Sequence, residues 1–518
     1  MPRSRRTVVI GAGHNALAAA FYLARAGRHP LVLERQDAVG GGASSSELAP
    51  GFSCPTFSHE EQLHRRIVTE MNLPAVGASW ISCDVDTCAL DPDGPALLLY
   101  ADAARTSASL PAPDAARWPE FWRATRGVAG ILQSLLDEPP PDAAGPSLGD
   151  LWRLAGLYRK TRALDRADAY RLLQWLPMPV ADMVDDWFEG GLLRAAVAAR
   201  GLPGTAHGPR AAGSTLVWLT RLAHQLSART SAAQVRGGPG ALTRAMARAA
   251  QAAGAEIRLG QEVESIVVEG GRVAGVVIAG HQIQADCVVS GADPKTTFLS
   301  LVGAAQLPAE FAAQVGYYRA NGAQAKLNLA LSALPAFAGV SHASHLAGRI
   351  HVGPTLDYLE RASDATKYGE CSPEPWMEIA IPSVLDASLA PAGAHVASIY
   401  VHSVPRQLKG SSWPAERDRL LAGCVKLLDG YAPGLSSLVV AAELLTPEDI
   451  EERQGTWGGH GFHGDLALDQ WFAMRPAYGW ARYETPVKGL FLCGAGTHPG
   501  GFLTGTSGRL AAERVLRG

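Results

Sequence analysis

TVVIGAGHNALAAAFYLARAGRHPLVLERQDAVGGG, residues 7–42, changes its pattern three times. Thr7 to Ile10 is a β-branched run of the kind that fills a buried strand. It breaks at Gly11-Ala12-Gly13 and passes into an Ala/Leu-rich helical pattern from about Asn15 to Ala26. Gly27 ends that helix, and Pro30 to Glu34 reads as a second strand. This is a βαβ unit with the dinucleotide fingerprint in its first turn. Gly11 permits the tight turn, and Gly13 has no Cβ to obstruct a pyrophosphate. His14 and Asn15 open the helix, whose free N–H groups and positive dipole end suit phosphate. Ala16, in the third position, is small enough for close helix–strand packing. Glu34 closes the second strand, where a carboxylate accepts bonds from ribose hydroxyls and disfavours a 2′-phosphate, hence NADP. Arg35 follows it as a further cofactor contact. Six residues past Glu34 comes Gly40-Gly41-Gly42-Ala43-Ser44. A second glycine cluster at that distance lets backbone pass beside a large cofactor, which points to FAD.

The chain has 518 residues, enough for two or three domains. A net charge of −3 with 18% charged residues gives no sign of a nucleic-acid partner. The seven cysteines, at 54, 83, 88, 287, 371, 424 and 493, form no CxxC pair and no ligand-spaced cluster. That pattern fits a reducing cytoplasm, excludes a redox-disulfide flavoenzyme and gives no metal site. Arg3, Arg5 and Arg6 lead straight into the fingerprint strand, so they are not read as the head of a signal peptide. No apolar run reaches bilayer length, and the expectation is a soluble or at most peripheral protein.

Further along, residues 76–112 read as short strands and loops with a turn at Asp91-Pro92-Asp93-Gly94. Helical periods follow from Trp118 to Leu136 and, after Pro139-Pro140-Pro141, on through Ala199; this block breaks the α/β alternation and reads as an insertion. The α/β pattern resumes at 235, with a helix from Ala241 to Ala253, a strand at Glu256–Leu259, a hairpin turning at Gly270-Gly271 and an apolar strand in Ala285–Asp293 that opens into Gly291. AQAKLNLAL, residues 323–331, alternates, with Gln324, Lys326 and Asn328 on one face and Leu327, Leu329 and Leu331 on the other. The tail gives a strand at Leu490–Cys493, a Gly-rich turn and a helix from Thr506 to Leu516.

Three separated stretches, the N-terminal unit, VRGGPGAL…GAEIRLGQEVESI and CGAGTHPGGFLTGTSG, resemble the phytoene desaturase-like branch of the flavin amine oxidase superfamily. GPRAAGS at 208–214 and GGHGFHGDLALDQWFAMRP at 458–476 resemble its pyridine nucleotide-disulphide oxidoreductase domain protein 2 subgroup. The likeness covers most of the chain, more loosely over 76–180. Ala16 departs from the glycine usual in the subgroup. The resemblance implies an α/β fold: a Rossmann-like FAD-binding domain of the glutathione reductase/amine oxidase type, from residues 1–75, 208–300 and 480–518. A discontinuous α+β substrate domain would use 76–207 and 301–479. It implies FAD contacts at Gly11, Gly13, Ala16 and Glu34, at Gly41, Gly42 and Ala43, at Val263 by the adenine edge, and at Gly494 and Ala495 by the pyrophosphate. Backbone around Leu503 and Thr504 would face the reduced flavin's negative edge. Ser44, Gly291 and Gly501 complete the candidate set.

The implied chemistry is FAD-dependent oxidation. The glycine clusters at 237–240 and 494–501 fall where this family contacts FAD, which argues against a second dinucleotide site, so electrons would leave to oxygen or a quinone. The first expectation is desaturation of a C–C bond in a mostly apolar molecule. Alternatives are an amine or alcohol oxidase, a reduced-flavin isomerase and a non-enzymatic binding protein. His59, in PTFSHEE, reads either as a base or as a hydrogen-bonded structural histidine. Lys326 resembles the strand lysine that amine oxidases place near the flavin, or it snorkels to the surface. His460, His463 and Asp465 do not make a metal site; His463 would shape the substrate cavity, and His498 would hold the ribityl chain or ring. Residues 151–176 are basic and aromatic, a membrane-docking helix or, in the favoured reading, a solvated face whose Asp165 and Asp168 compensate its arginines. Oligomeric state is open.

Overall fold

The computed structural model describes residues 6–60, 62–142, 145–228 and 233–517; Arg3 and Arg5 lie outside them. Thr7–Ile10, buried along its whole length, sits at the centre of a five-stranded sheet. The order is Leu490–Leu492, Cys287–Ser290, Thr7–Ile10, Leu31–Leu33, Glu256–Arg258, and every pairing is parallel. Such a sheet must be covered on both faces, which explains the apolar runs of its strands other than the edge strand Glu256–Arg258. Three helices cover one face: His14–Arg25, Gly238–Ala252 and Thr506–Arg517. The first begins and ends one residue earlier than the sequence pattern indicates, with Gly27 at φ 80° reversing the chain after it. The last crosses the first closely: a Cβ on Gly508 would lie 1.9 Å from the Asn15 carbonyl oxygen. The other face packs against the antiparallel strands Ser265–Glu269, Arg272–Ile278 and His281–Gln284, which turn at Gly270-Gly271 as expected.

A second sheet of seven strands runs Val439–Leu445, Gln324–Leu331, His395–His402, Met377–Ala380, Arg349–Val352, Val85–Ala89, Leu97–Tyr100. The Asp91–Gly94 turn joins its last two strands, while the helix Ala103–Ser109 falls in a stretch read as strands and loops. Gln324–Leu331 lies inside this sheet between two neighbours. Its alternation does not separate a core face from a wet one: Lys326 and Asn328 are as completely buried as Leu327, Leu329 and Leu331. The polar face looks onto other protein, so Lys326 does not snorkel.

Helices Ala112–Leu136, Val180–Trp187, Gly191–Ala198 and Ser214–Ser227 build a separate core rich in Trp and Phe. Leu148–Arg162, packed at its edge, is inside out. Asp150 is fully buried, yet Leu148, Leu151, Trp152 and Tyr158 face solvent, Trp152 at 78% exposure. Asp168 is likewise not a solvated counter-charge; it is buried and takes bonds from Arg123 and Arg171 at 2.6 and 2.7 Å. Among the described residues, no helix is long and apolar enough to cross a membrane.

Candidate active site

Parallel strands leave a crevice beyond their carboxyl ends. Here Ile10-Gly11, Leu33-Glu34, Gly291 and Gly494, each at or just after such an end, open onto one cavity of about 1670 Å³, solvent at its mouth included. Glycines shape its narrow part. The Gly40 N–H donates to the Ala12 carbonyl at 2.9 Å, and a Cβ on Gly41 would meet the Gly13 Cα at 3.4 Å, so two backbone turns form one ledge. A Cβ on Gly291 would stand 2.8 Å from the Ile10 carbonyl oxygen and 3.1 Å from Ala16 Cβ, which explains why small residues sit at both places.

The wall is short of partners for its polar groups. Helix His14–Arg25 starts at Gly13 with no side-chain cap and no acid in its first turn, so its N–H groups stay available to an anion. His14 Nε2, Asn15 Oδ1 and His463 Nδ1 are buried without a hydrogen-bond partner, and all three residues line the cavity. Burial, followed by the neighbouring His463, lowers His14 to about 4; burial lowers His463 to about 4 as well. Both rings are therefore neutral at pH 7 and able to donate or accept. Glu34 accepts the Ala12 and Gln36 N–H groups at 2.6 and 2.9 Å, one per carboxylate oxygen, which leaves a lone pair on each. These features fit a dinucleotide carrying phosphates and hydrogen-bonding edges.

Fifteen of the expected cofactor residues line this cavity: Gly11, Gly13, His14, Asn15, Ala16, Glu34, Arg35, Gly41, Gly42, Ala43, Val263, Gly291, Gly494, Ala495 and Leu503. Ser44, Gly501 and Thr504 do not. The Ser44 N–H closes a turn onto Gly41, the Gly501 N–H bonds Ala495, and the Thr504 carbonyl accepts the His64 N–H. His498 is also a correction. It is fully buried behind the wall, with Nε2 2.9 Å from the Glu138 carbonyl oxygen, where it ties the tail to the helical core. His460 braces its own loop, bonding Asp465 and the Phe462 N–H, both at 3.1 Å.

The wide end of the cavity is aromatic, with Phe57, Tyr400, Phe462 and Phe502 on its walls. Lys326 does not reach it. Its ammonium nitrogen lies 4.5 Å beneath the Tyr400 ring, 3.1 Å from His59 Nδ1 and 2.5 Å from Ser398 Oγ. Burial pulls Lys326 down to about 7, and burial together with Lys326 pulls His59 down to about 4. The His59 ring in turn packs at a tilt on Tyr400, with ring centres 4.1 Å apart, and its Nε2 faces Glu378 at 3.7 Å.

Arg221, Glu378 and Tyr400 were not singled out by the sequence, nor were Arg200 and Arg349. Glu378 stands alone in the apolar strand Met377–Ala380, and Arg221 alone in STLVWLTRLAHQLS. A lone charge in an apolar run is the signal that marked Lys326, and it applies equally to these two.

Over residues 17–315 the chain matches the model of the flavin containing amine oxidoreductases. The chain belongs to this family. Its cofactor is FAD and it is an oxidoreductase. It is 34% identical to the rat pyridine nucleotide-disulfide oxidoreductase domain-containing protein 2, over 98% of this chain and 93% of that one. It is 27% identical to one of the subunits of limonene dehydrogenase from Castellaniella defragrans, over 98% and 94%. It is 30% identical to a lycopene-forming phytoene desaturase of Pseudescherichia vulneris, over 54% and 55%. Its fold is shared with an oxidoreductase from Methanosarcina mazei at 18% identity and a TM-score of 0.60, covering 99% and 100%. The expected family and fold class thus hold.

Proposed function

We propose that the protein is an FAD-dependent dehydrogenase that desaturates a C–C bond of a mostly apolar substrate, passing electrons to oxygen or a quinone. The observation that carries this is the charge state at the wide end of the cavity. Glu60 and Glu378, which line this cavity together with Tyr400, are both engaged by Arg221. Among the described residues lining that end, neither carboxylate is left free to hold a substrate ammonium, which disfavours an amine. The full-length likeness to a protein named as part of a limonene dehydrogenase supports the same reading.

Gly11, Gly13 and the start of helix His14–Arg25 would hold the FAD pyrophosphate, Glu34 and Arg35 the adenosine ribose, and Val263 the adenine edge. Gly41 to Ala43, Gly494, Ala495 and Leu503 would carry the rest. His14 and Asn15 would satisfy their unpartnered atoms on the cofactor. Bound flavin supplies the hydride acceptor. The protein's part is to exclude water with Phe57, Phe462 and Phe502 and to orient the substrate against Tyr400. Lys326 and His59 act as positioning residues, holding Tyr400 from below.

The test is anaerobic mixing of the holoenzyme with apolar, amine and hydroxylated compounds, followed at the oxidised flavin band. Bleaching by an apolar hydrocarbon supports the reading; bleaching by amines alone overturns it.

We also propose a peripheral membrane contact through Leu148–Arg162. Its outward Leu148, Leu151 and Trp152 adjoin exposed Arg159, Lys160 and Arg162, a combination suited to an anionic bilayer surface. Cosedimentation with phosphatidylserine vesicles should occur and should fall in Trp152→Ala. Binding unaffected by that change, or concentration-dependent self-association instead, overturns it.

A further inference from the structure

A second cavity, about 920 Å³ with its open mouth included, lies behind the first and shares Glu60, Arg221 and Glu378 with it. Its wall brings together three guanidinium groups, Arg200, Arg221 and Arg349, whose side chains are 13%, 2% and 10% exposed. Arg200 is paired to Asp86, and Arg349 to Glu378 at 2.8 Å and to Thr87 at 2.9 Å. Arg221 is not matched in this way. Only its Nη2 has partners, Glu60 and Glu378, while Nε and Nη1 are buried with none. Glu378 is itself shared, because Arg221 and Arg349 both bond it and His59 faces it at 3.7 Å. Burial lowers Arg221 to about 10 and also lowers Arg200, and repulsion from Arg349 adds to both. The cluster therefore holds more buried donors than acceptors. Guanidinium forks of this kind match a carboxylate geometrically.

We propose that this second cavity is a carboxylate subsite: the substrate is an apolar chain ending in a carboxylate, which Arg221 takes with its unpartnered donors. The chain then passes between Glu60 and Glu378 to the aromatic wall at Tyr400. This rests on the reading that an apolar substrate occupies the first cavity, and it names that substrate's class. Glu60, 22% exposed in its side chain, is the internal competitor for Arg221 and swings aside when the acid binds.

The experiment is calorimetric titration of the FAD-loaded protein with octanoate, methyl octanoate and octylamine. Octanoate should bind at least about tenfold more tightly than its ester, the worth of a hydrogen bond to a charged group. Glu60→Gln should tighten octanoate and leave the ester unchanged. Arg221→Gln, checked for full FAD content, should abolish the preference, and Arg221→Lys should restore it in part. Equal binding of acid and ester, binding of neither, or inorganic phosphate competing as well as octanoate overturns the subsite. So does a Glu60→Gln protein with wild-type affinity, which keeps the test decisive even where Arg221→Gln fails to fold. If octanoate binds but no apolar compound bleaches the flavin, the subsite stands and the dehydrogenase reading falls. Bleaching by neutral hydrocarbons without acid preference has the opposite meaning.

Discussion

Replacing Lys326 by Met should make the protein more stable at neutral pH and flatten its stability on the alkaline side. The ammonium is fully buried, and burial lowers its pKa from 10.5 to about 7. That drop corresponds to a penalty on the order of 5 kcal/mol for the charged form in the fold. Its sign follows from proton counting. Between these two values the unfolded chain keeps the lysine proton and the native state sheds it, so native stability rises with pH across the window. Below pH 7 the native lysine is charged and the full penalty applies. In the variant the remaining neighbours still satisfy each other, because His59 Nδ1 and Ser398 Oγ are 3.3 Å apart. The buried thiols Cys54, Cys88, Cys424 and Cys493, raised by burial to about 12, act in the opposite direction above pH 9. The comparison is therefore made between about pH 7 and about pH 8.5, where Lys326 alone should contribute about 1.5 kcal/mol of rising stability. Equilibrium urea unfolding of both proteins at these two pH values reads the difference, and subtraction removes whatever titrates in both. Wild-type and variant stabilities that rise in parallel would refute the reasoning, because Lys326 would then be solvated rather than desolvated.

Burial lowers His14, His59, His224, His351 and His463 to about 4, and His402 and His498 to about 3. The unfolded chain binds these protons first as pH falls below 6.5, so stability should decline steeply from there to pH 4, with FAD fluorescence appearing as the cofactor leaves; a flat profile over that range contradicts the burial. Gly508→Ala and Gly130→Ala should have opposite signs. A Cβ at Gly508 meets the Asn15 carbonyl at 1.9 Å, and forcing helices 14–25 and 506–517 apart should cost about 3 kcal/mol and weaken FAD. Gly130, inside helix 112–136, has nothing within 4 Å, so alanine there should stabilise by about 0.5–1 kcal/mol. Calorimetric melting of both variants decides this. Glu34→Ala should weaken FAD by roughly tenfold or more, since it removes the ribose acceptor and releases the Ala12 N–H held at 2.6 Å; equilibrium dialysis measures it.

What the sequence reveals here divides along a physical line. Phosphate recognition uses backbone N–H groups at a helix start and glycines that let backbone approach, and one contiguous stretch, Thr7 to Ala43, supplies both. That is why Gly11, Gly13, Glu34 and Gly41 could be named from the chain alone. His498, Gly501 and Thr504 lie in an equally glycine-rich turn, but there the motif does not say which side of the wall a residue faces. His498 turned away to bond Glu138, a residue 360 positions earlier. Lys326 was visible as a charge in an apolar strand; its burial under Tyr400 depends on the pairing of Gln324–Leu331 with His395–His402, which brings Lys326 opposite Tyr400. The second cavity goes further in this direction. Arg221 comes from a helix, Glu378 and Arg349 from facing strands, Asp86 from a strand that joins the sheet in parallel beside Arg349, and Glu60 from the segment after the FAD-binding turns. No two of these five are adjacent in sequence. Side-chain recognition needs charges converging from several directions on a desolvated point, and only tertiary pairing assembles that. The lone charges in apolar runs are its one local trace: a strand or helix carries a buried Arg, Lys or Glu only where other elements bring it a partner. In this chain those three, Arg221, Lys326 and Glu378, converge behind one aromatic wall.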